Sequence, residues 1–301
     1  MKLHNDKENF KAAIKATSRF FNVSEAIIEK DYFVTLVLLE LTNQIPGLIF
    51  KGGTSLSKCY KIIDRFSEDI DITLDPIYKS TSNRKKLKYT ILEICEKLGL
   101  NLLNENEIRS RRDYNCYKID YLPTYSAYGL NPQLLLETVF IVDSFPCDIK
   151  QASSMIYDYL KNTNNNEAIE KYCLHPFDIR VQSINRTLVD KFFALCDYML
   201  DNKTERFSRH IYDISKLIPF VSLDDELTKL IKNVRVYRKE GTKCFSAQDG
   251  VSVPELLRKM IDTDYFENDY LNNTEKLLSK KITYQEAIKS LEVIIMSGVF
   301  K

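Results

Sequence analysis

Phe50-Lys51-Gly52-Gly53-Thr54-Ser55-Leu56-Ser57-Lys58, followed by Arg65-Phe66-Ser67-Glu68-Asp69-Ile70-Asp71, is the stretch on which the reading of this chain turns. The apolar run Leu48-Ile49-Phe50 stops at Gly52-Gly53, as a buried strand ending in a tight turn should. Thr54 to Ile63 is long enough for about two and a half turns of helix. Asp69 to Leu74 then alternates polar and apolar with period two. The predicted order is strand, glycine turn, helix, strand.

Residues two apart on a strand project to the same face, about 6.6–6.8 Å apart along the backbone, so Asp69 and Asp71 are placed to converge on one divalent ion or a closely spaced pair. Ile70, Ile72 and Leu74 then face the core. Two neighbouring carboxylates repel unless a cation sits between them, and hard oxygen ligands of this kind suit Mg²⁺ or Mn²⁺. Upstream, Gly52 and Gly53 let the backbone approach a phosphate with no Cβ in the way, and the N–H groups opening the Thr54 helix are expected to hold the anion. Thr54 and Ser55 add hydroxyl donors. A phosphate cradle just before a metal-binding strand is what nucleotidyl transfer needs: the NTP is clamped, metal neutralises developing charge, and an acceptor hydroxyl attacks in line. A Gly-Gly turn alone is weak and Asp-x-Asp alone is common on solvated strands. Their conjunction in this order is much rarer and favours the chemical reading.

Working outward, residues 7–20 and 24–44 read as helices, the second opening on Ser24 as N-cap with Glu25 at its positive end. A helix near 83–99 and two strands, Tyr114 to Tyr121 and Leu134 to Val142, complete a small mixed sheet. From about residue 153 helical patterns take over. Between Ser183 and Asp201 the residues Leu188, Val189, Phe192, Phe193, Leu195, Cys196, Met199 and Leu200 form one apolar stripe. Further helices are expected near 206–218, 224–235, 254–261, 267–280 and 284–296. The fold class is α+β, with an N-terminal α/β lobe over 1–150 and a mainly helical lobe over 151–301, the change of character falling near 150–175.

A chain of 301 residues, 44% hydrophobic and 28% charged, can bury a substantial core, and only eight glycines and eight prolines argue against a disordered or fibrous segment. No apolar h-region follows the N-terminus and no run reaches the roughly 18 apolar residues of a membrane span, so a soluble, cytoplasmic protein with no membrane partner is expected. Seven cysteines without Cys-x-x-Cys spacing read as buried free thiols, and three histidines leave no ligand set for zinc. A formal net charge of +1 argues against coating nucleic acid through bulk charge but leaves room for a local basic groove. The candidate patches are Arg84-Lys85-Lys86-Leu87-Lys88, Arg109 with Arg111-Arg112, and Arg235 with Arg238-Lys239. Each taken singly is more often a solvated face.

The glycine turn with its Asp-x-Asp strand resembles that of nucleotidyltransferases, and the resemblance implies a third carboxylate on a later strand. Glu137, flanked by Leu134-Leu135-Leu136 and Val139-Phe140-Ile141, is the candidate, because an acid inside an apolar strand is costly unless it meets a metal or partner. Asp120 competes with it. Arg65 is suited to contact phosphate, or equally to pack against acids such as Glu68.

Gly52-Gly53-Thr54-Ser55 with Asp69-x-Asp71 resembles the signature of the nucleotidyltransferase superfamily, whose fold is polymerase beta-like. The fuller string from Lys51 to Lys58 and from Arg65 to Asp71 resembles the AbiEii/AbiGii toxin family. Glu29-Lys30-Asp31-Tyr32-Phe33-Val34-Thr35 is similar to that family's N-terminal helix motif. Leu188 to Leu195 and Arg209-His210-Ile211-Tyr212-Asp213 are similar to its later motifs, so the resemblance runs from about residue 25 to 217. It implies a toxin of a bacterial toxin–antitoxin or abortive-infection system with a cognate antitoxin. Relatives, including the mycobacterial MenT toxins, add nucleotides to tRNA 3′ ends and so block translation. The residues implied are Asp69 and Asp71 for metal, Lys191 for the triphosphate and Asp213 as a further essential acid.

Beside that resemblance, Lys191 falls just beyond the apolar stripe of its helix, where it suits either a nucleotide contact or a snorkelling surface lysine. Asp213 lies four residues after Arg209, so a plain helical ion pair explains it equally well. Lys30 and Asp31 are expected to brace the glycine loop rather than bind nucleotide. The rival functions are transfer to a small molecule or protein side chain, since the catalytic core does not encode the acceptor, and a non-catalytic module that binds RNA or a partner with the same fold.

Overall fold

The computed structural model describes every residue except Met1, Glu68, Tyr128, Gly129, Ile141, Val142, Thr242, Lys243 and Lys301. Its elements begin with α1 (Lys7–Phe21), α2 (Glu25–Gln44), β1 (Leu48–Lys51), α3 (Gly52–Ser55), β2 (Ile70–Leu74) and α4 (Thr81–Leu98). Then follow β3 (Asn101–Leu102), β4 (Tyr114–Asp120), β5 (Gln133–Val139), β6 (Cys147–Ala152), α5 (Met155–Asn162), α6 (Asn166–Tyr172) and β7 (Phe177–Gln182). The remainder is α7 (Ile184–Leu200), α8 (Arg209–Leu217), α9 (Asp225–Lys239), α10 (Val253–Asp262), α11 (Glu267–Asp269) and α12 (Tyr284–Ser297).

The chain divides into two compact units. One comprises Met1–Tyr60, Ser67–Phe140 and Asp148–Val181; the other comprises Lys61–Phe66, Ile141–Cys147 and Gln182–Lys301. The division therefore does not fall at residue 150. Its physical cause is β7, which pairs in parallel with β1, Phe50 opposite Val181, and so holds the preceding segment to the sheet. The alternation Phe177-Asp178-Ile179-Arg180-Val181 carries the period-two signal that would have revealed this strand.

The α+β class holds, with a mixed sheet of seven strands in the order β3-β4-β5-β2-β1-β7-β6. β1 and β2 are antiparallel, β2 and β5 parallel, β5 and β4 antiparallel. Ile49, Phe50, Ile70 and Ile72 are completely buried, as expected of interior strands. Ser24 caps α2 by accepting the Ile27 amide, and α2 packs against α1, α4 and α5. The strand expected to run to Val142 ends at Val139, and Ile141 and Val142 lie outside the described residues.

Two expected helices are wound differently. The helix placed at Thr54 to Ile63 starts at Gly52, passes into a π turn over Leu56–Tyr60 and stops at Lys61, whose left-handed φ of 56° no helix can continue through. The span 267–280 is broken into α11, a π turn and a 3₁₀ turn. In the helical unit α7 packs against α8, α9 and α10, while α8 packs against α12. The cysteines are all free, but only Cys95 and Cys196 are buried; Cys173, which ends α6 in the left-handed conformation, is exposed.

Three consecutive charged residues of α2 pin the sheet unit together. Glu29 accepts the amides of Thr124 and Tyr125, and the Lys30 ammonium donates to the Asn131 carbonyl at 2.7 Å. Asp31 accepts from Lys58 Nζ at 2.6 Å and from the Met155 amide at 2.7 Å. Lys58 sits in the π turn that follows the glycines and also donates to Thr35 and to the Ser153 carbonyl. The expected bracing of the glycine loop thus runs through Asp31 and Lys58. Asp31→Ala strands a buried ammonium, and the expected loss is about 3–5 kcal/mol of unfolding free energy. Urea denaturation checks this, and an unchanged midpoint would show the brace to be idle.

Candidate active site

Cross-strand register assembles the site. Lys51 on β1 lies opposite Asp71 on β2, Asp71 opposite Glu137 on β5, and Glu137 opposite Cys116 on β4. Residues in direct register share a face, and neighbouring strands are about 4.8 Å apart, so the four side chains form one row across the sheet. Asp69 immediately precedes β2, and its charge acts on Cys116 in this row. Both aspartates and Glu137 are half-buried, whereas Ile70, Ile72, Leu134 and Leu136 on the opposite face are buried.

The register also separates the two acids between which sequence left the choice open. Glu137 stands beside Asp71, while Asp120 lies opposite Gln133, four residues along β4 from Cys116 and about 13 Å away. Asp120 uses one carboxylate oxygen to accept the Leu122 amide.

Tyr114 and Cys116, which the sequence did not single out, join the acids. The Tyr114 phenol is hydrogen-bonded to Glu137, and burial with the Glu137 charge pushes its pKa up. Burial first, then the charges of Glu137 and Asp69, push the Cys116 thiol up to about 11. Their signal in the sequence was only an alternating strand, because strand pairing alone puts them beside Glu137.

The glycine turn touches this row directly. Gly52 has a φ of 74°, and a Cβ built on it would fall 1.9 Å from Asp71 Oδ2. Two constraints therefore coincide there: left-handed backbone, and a carboxylate resting where any side chain would go. Thr54 and Ser55, expected as phosphate donors, are buried. Thr54 Oγ1 donates to the Asp69 carbonyl at 2.5 Å and Ser55 Oγ to the Gly52 carbonyl at 2.9 Å. They hold the turn and the strand entry in shape rather than presenting hydroxyls outward. With α3 only four residues long, the aligned dipole expected to assist an anion is also short.

The other predicted residues meet in the helical unit. Arg65 Nε and Nη2 donate to the two carboxylate oxygens of Asp213, each at 2.7 Å, and Lys191 Nζ donates to Asp213 Oδ2 at 2.6 Å. All three are buried, Asp213 completely. Burial pushes the Asp213 carboxyl up, but Arg65 and Lys191 outweigh it and hold the group well below the usual carboxylate range. Burial, with Arg65 nearby, lowers the Lys191 pKa against the pull of Asp213.

Arg65 is therefore not displayed for phosphate, since its fork is engaged bidentately by Asp213; the alternative partner Glu68 lies outside the described residues. Lys191 is no snorkelling surface lysine. Asp213 pairs across the fold rather than with Arg209 one turn away.

The family described as Nucleotidyl transferase AbiEii toxin, Type IV TA system, matches residues 36–291. This chain belongs to the AbiEii family. As an AbiEii protein it is a nucleotidyltransferase toxin of a type IV toxin–antitoxin system. The match reaches well past residue 217, where the motif resemblance ended, and leaves the Glu29–Thr35 segment outside. Among solved structures, MenT4, a nucleotidyltransferase toxin from Mycobacterium tuberculosis H37Rv, is similar with a TM-score of 0.59 over 94% of this chain and 88% of that one. At 13% identity this is a likeness of fold. No curated protein matches the AbiEii chain.

The donor chemistry of the AbiEii carboxylate row suits a hard cation. Among the described residues no three His, Cys, Asp or Glu come together as a metal site, so the row offers a cation one or two carboxylates rather than three. Mg²⁺ is bound in that manner, by one or two carboxylates while water and substrate phosphate complete its octahedron.

Two outcomes follow from the packing. Gly52→Ala combines a left-handed penalty with overpacking against Asp71, and is expected to cost about 2–4 kcal/mol, read from thermal or urea unfolding. A fully stable alanine variant would mean that the turn is not held against the acid. Asp213→Asn leaves two buried cations without a charged partner and is expected to lose about 3–5 kcal/mol. Loss below 1 kcal/mol in a urea titration would show the triad to be dispensable for stability.

Proposed function

We propose that this toxin transfers a nucleoside monophosphate from an NTP to an RNA acceptor, the 3′ end of tRNA, and thereby blocks translation in the cytoplasm. One or two of the carboxylates of Asp69, Asp71 and Glu137 would hold each Mg²⁺ or Mn²⁺ ion. The observation that carries this reading is the row Lys51–Asp71–Glu137, with the Asp71 carboxylate lying against the Cβ-less Gly52. Because the Asp71 carboxylate rests against the Gly52 backbone, a cation held by the acids would sit beside the Gly52-Gly53 turn and would there meet a phosphate. When bound, the metal would neutralise charge on the triphosphate as the acceptor hydroxyl attacks.

The chain's own residues supply the positioning. Asp31 and Lys58 hold the turn after the glycines, and Thr54 ties that turn to Asp69. Within the helical unit Asp213 fixes the Lys191 ammonium in place. Among the described residues no helix is long and apolar enough to cross a membrane. The family implies a cognate antitoxin as partner.

Purified protein incubated with each α-labelled NTP, total RNA and Mg²⁺ is expected to label tRNA 3′ ends, and chelation of the metal to stop it. Asp69→Ala and Asp71→Ala should each reduce incorporation at least about a hundredfold. Label on a metabolite or protein, with RNA bare, would place the acceptor elsewhere. Growth arrest by Asp71→Ala equal to that of the parent would remove catalysis from the mechanism.

A further inference from the structure

The chain as a whole is almost neutral, with 43 basic and 42 acidic residues, yet every charged residue that lines one groove in the sheet unit is a cation. Two basic runs separated by about twenty residues of sequence meet there: Lys85 and Lys88 on α4, and Arg109 and Arg111 on the turn before β4. The groove measures about 420 Å³, within the size range of small-ligand sites, and Ser110 and the ring of Tyr89 complete the polar and aromatic part of its wall. Tyr89 is 51% exposed.

Lys88 and Arg109 are held by backbone carbonyls, which leave their charge unneutralised. Lys88 Nζ donates to the Ile108 carbonyl at 3.4 Å, and Arg109 Nη1 to the carbonyls of Asn106 and Ile108. Lys85 Nζ stands over the Tyr89 ring at 5.8 Å. None of these four forms an ion pair with a described acid; the neighbouring Arg84 does, with Asp113 at 2.8 Å. The turn that carries the arginines is fixed rather than loose. Buried Asn115 accepts the Arg109 amide and donates to the Arg109 carbonyl, each at 3.0 Å. Four cations without an ion-pair partner on one groove form a site for repeated negative charge, and folding retains such charge crowding only at a cost in self-repulsion.

We propose that this groove docks the sugar-phosphate backbone of the RNA acceptor, with one base stacked on Tyr89. Spaced cations that track a backbone, with an exposed aromatic ring among them, are the pattern by which single-stranded nucleic acid is held without sequence reading. An acidic peptide would satisfy the charges but has no use for the ring. Placement agrees with this use: Arg111 is five residues from Cys116, the neighbour of Glu137, so the groove and the carboxylate row are joined by no more than about 18 Å of extended chain. The inference rests on the RNA-acceptor reading above, while the groove is tested by binding alone.

The test measures fluorescence anisotropy of a fluorescein-labelled single-stranded RNA oligonucleotide with purified full-length protein, without NTP or metal, over a series of salt concentrations. Lys85→Glu and Arg111→Glu are expected to weaken binding several-fold each. The corresponding neutral variants Lys85→Gln and Arg111→Gln should each flatten the slope of log affinity against log salt by about 0.7. Tyr89→Ala should weaken binding at least about fivefold at every salt concentration with the slope unchanged. Nucleotide binding, measured by calorimetry with a non-hydrolysable NTP and Mg²⁺, should be the same in all variants. Variants that bind the oligonucleotide like the parent overturn the groove and leave the transfer reaction standing. Groove-dependent binding by a protein that labels no RNA supports the groove while removing the RNA transferase reading. Loss of binding to the co-purified antitoxin, with RNA binding intact, overturns the proposal in favour of a protein partner.

Discussion

β2 is hydrogen-bonded along both edges, antiparallel to β1 and parallel to β5, and this double pairing is the constraint that the candidate site depends on. Because side chains alternate with period two, one choice of register decides every face at once. With Asp71 opposite Lys51 and Glu137, the apolar residues of β2 enter the core and the acids share one side. A slip of one residue would bury both aspartates. The buried Ile70 and Ile72 therefore enforce, through their hydrophobic burial, the geometry of the charged residues that alternate with them.

The glycine turn is coupled to the same strand. Gly52 leaves β1 in a left-handed conformation just where Asp71 crosses from the neighbouring strand, and the absence of a Cβ gives the carboxylate its place. Thr54 then closes the turn onto Asp69 through a hydrogen bond to the backbone. A motif that looks like two separate signals along the chain is one packed unit in space. The hydroxyls that suggested anion binding act inside that unit, where a buried donor must find an acceptor.

Buried charge is used throughout for bracing. Glu29, Lys30 and Asp31 each cap or clamp a different segment of the sheet unit, and Arg65 and Lys191 both hold Asp213 within the helical unit. Such pairs add little net stability compared with apolar packing, but removing one partner leaves the other desolvated and unpaired. Their effect is on precision: each fixes a backbone segment or a side chain in one place. Lys85, Lys88, Arg109 and Arg111, on α4 and on the turn before β4, differ in kind, since none of them forms an ion pair with a described carboxylate.

The local sequence determined the helices with strong apolar stripes, the Ser24 cap, the strand–glycine–helix–strand order and the alternation that sets Asp69 and Asp71 on one face. Each of these depends on residues close together in the chain, so periodicity and capping chemistry suffice to show it. The extent of the sheet was less legible: β3 and β6 are short or irregular in pattern, and β7 was hidden in a region dominated by helical signals. Which acid stands beside Asp71, what Arg65, Lys191 and Asp213 bind, and that two distant basic runs line one groove were decided only by the tertiary structure. Strand register and long-range burial bring those residues together, and neither leaves a mark in the spacing of residues along the chain.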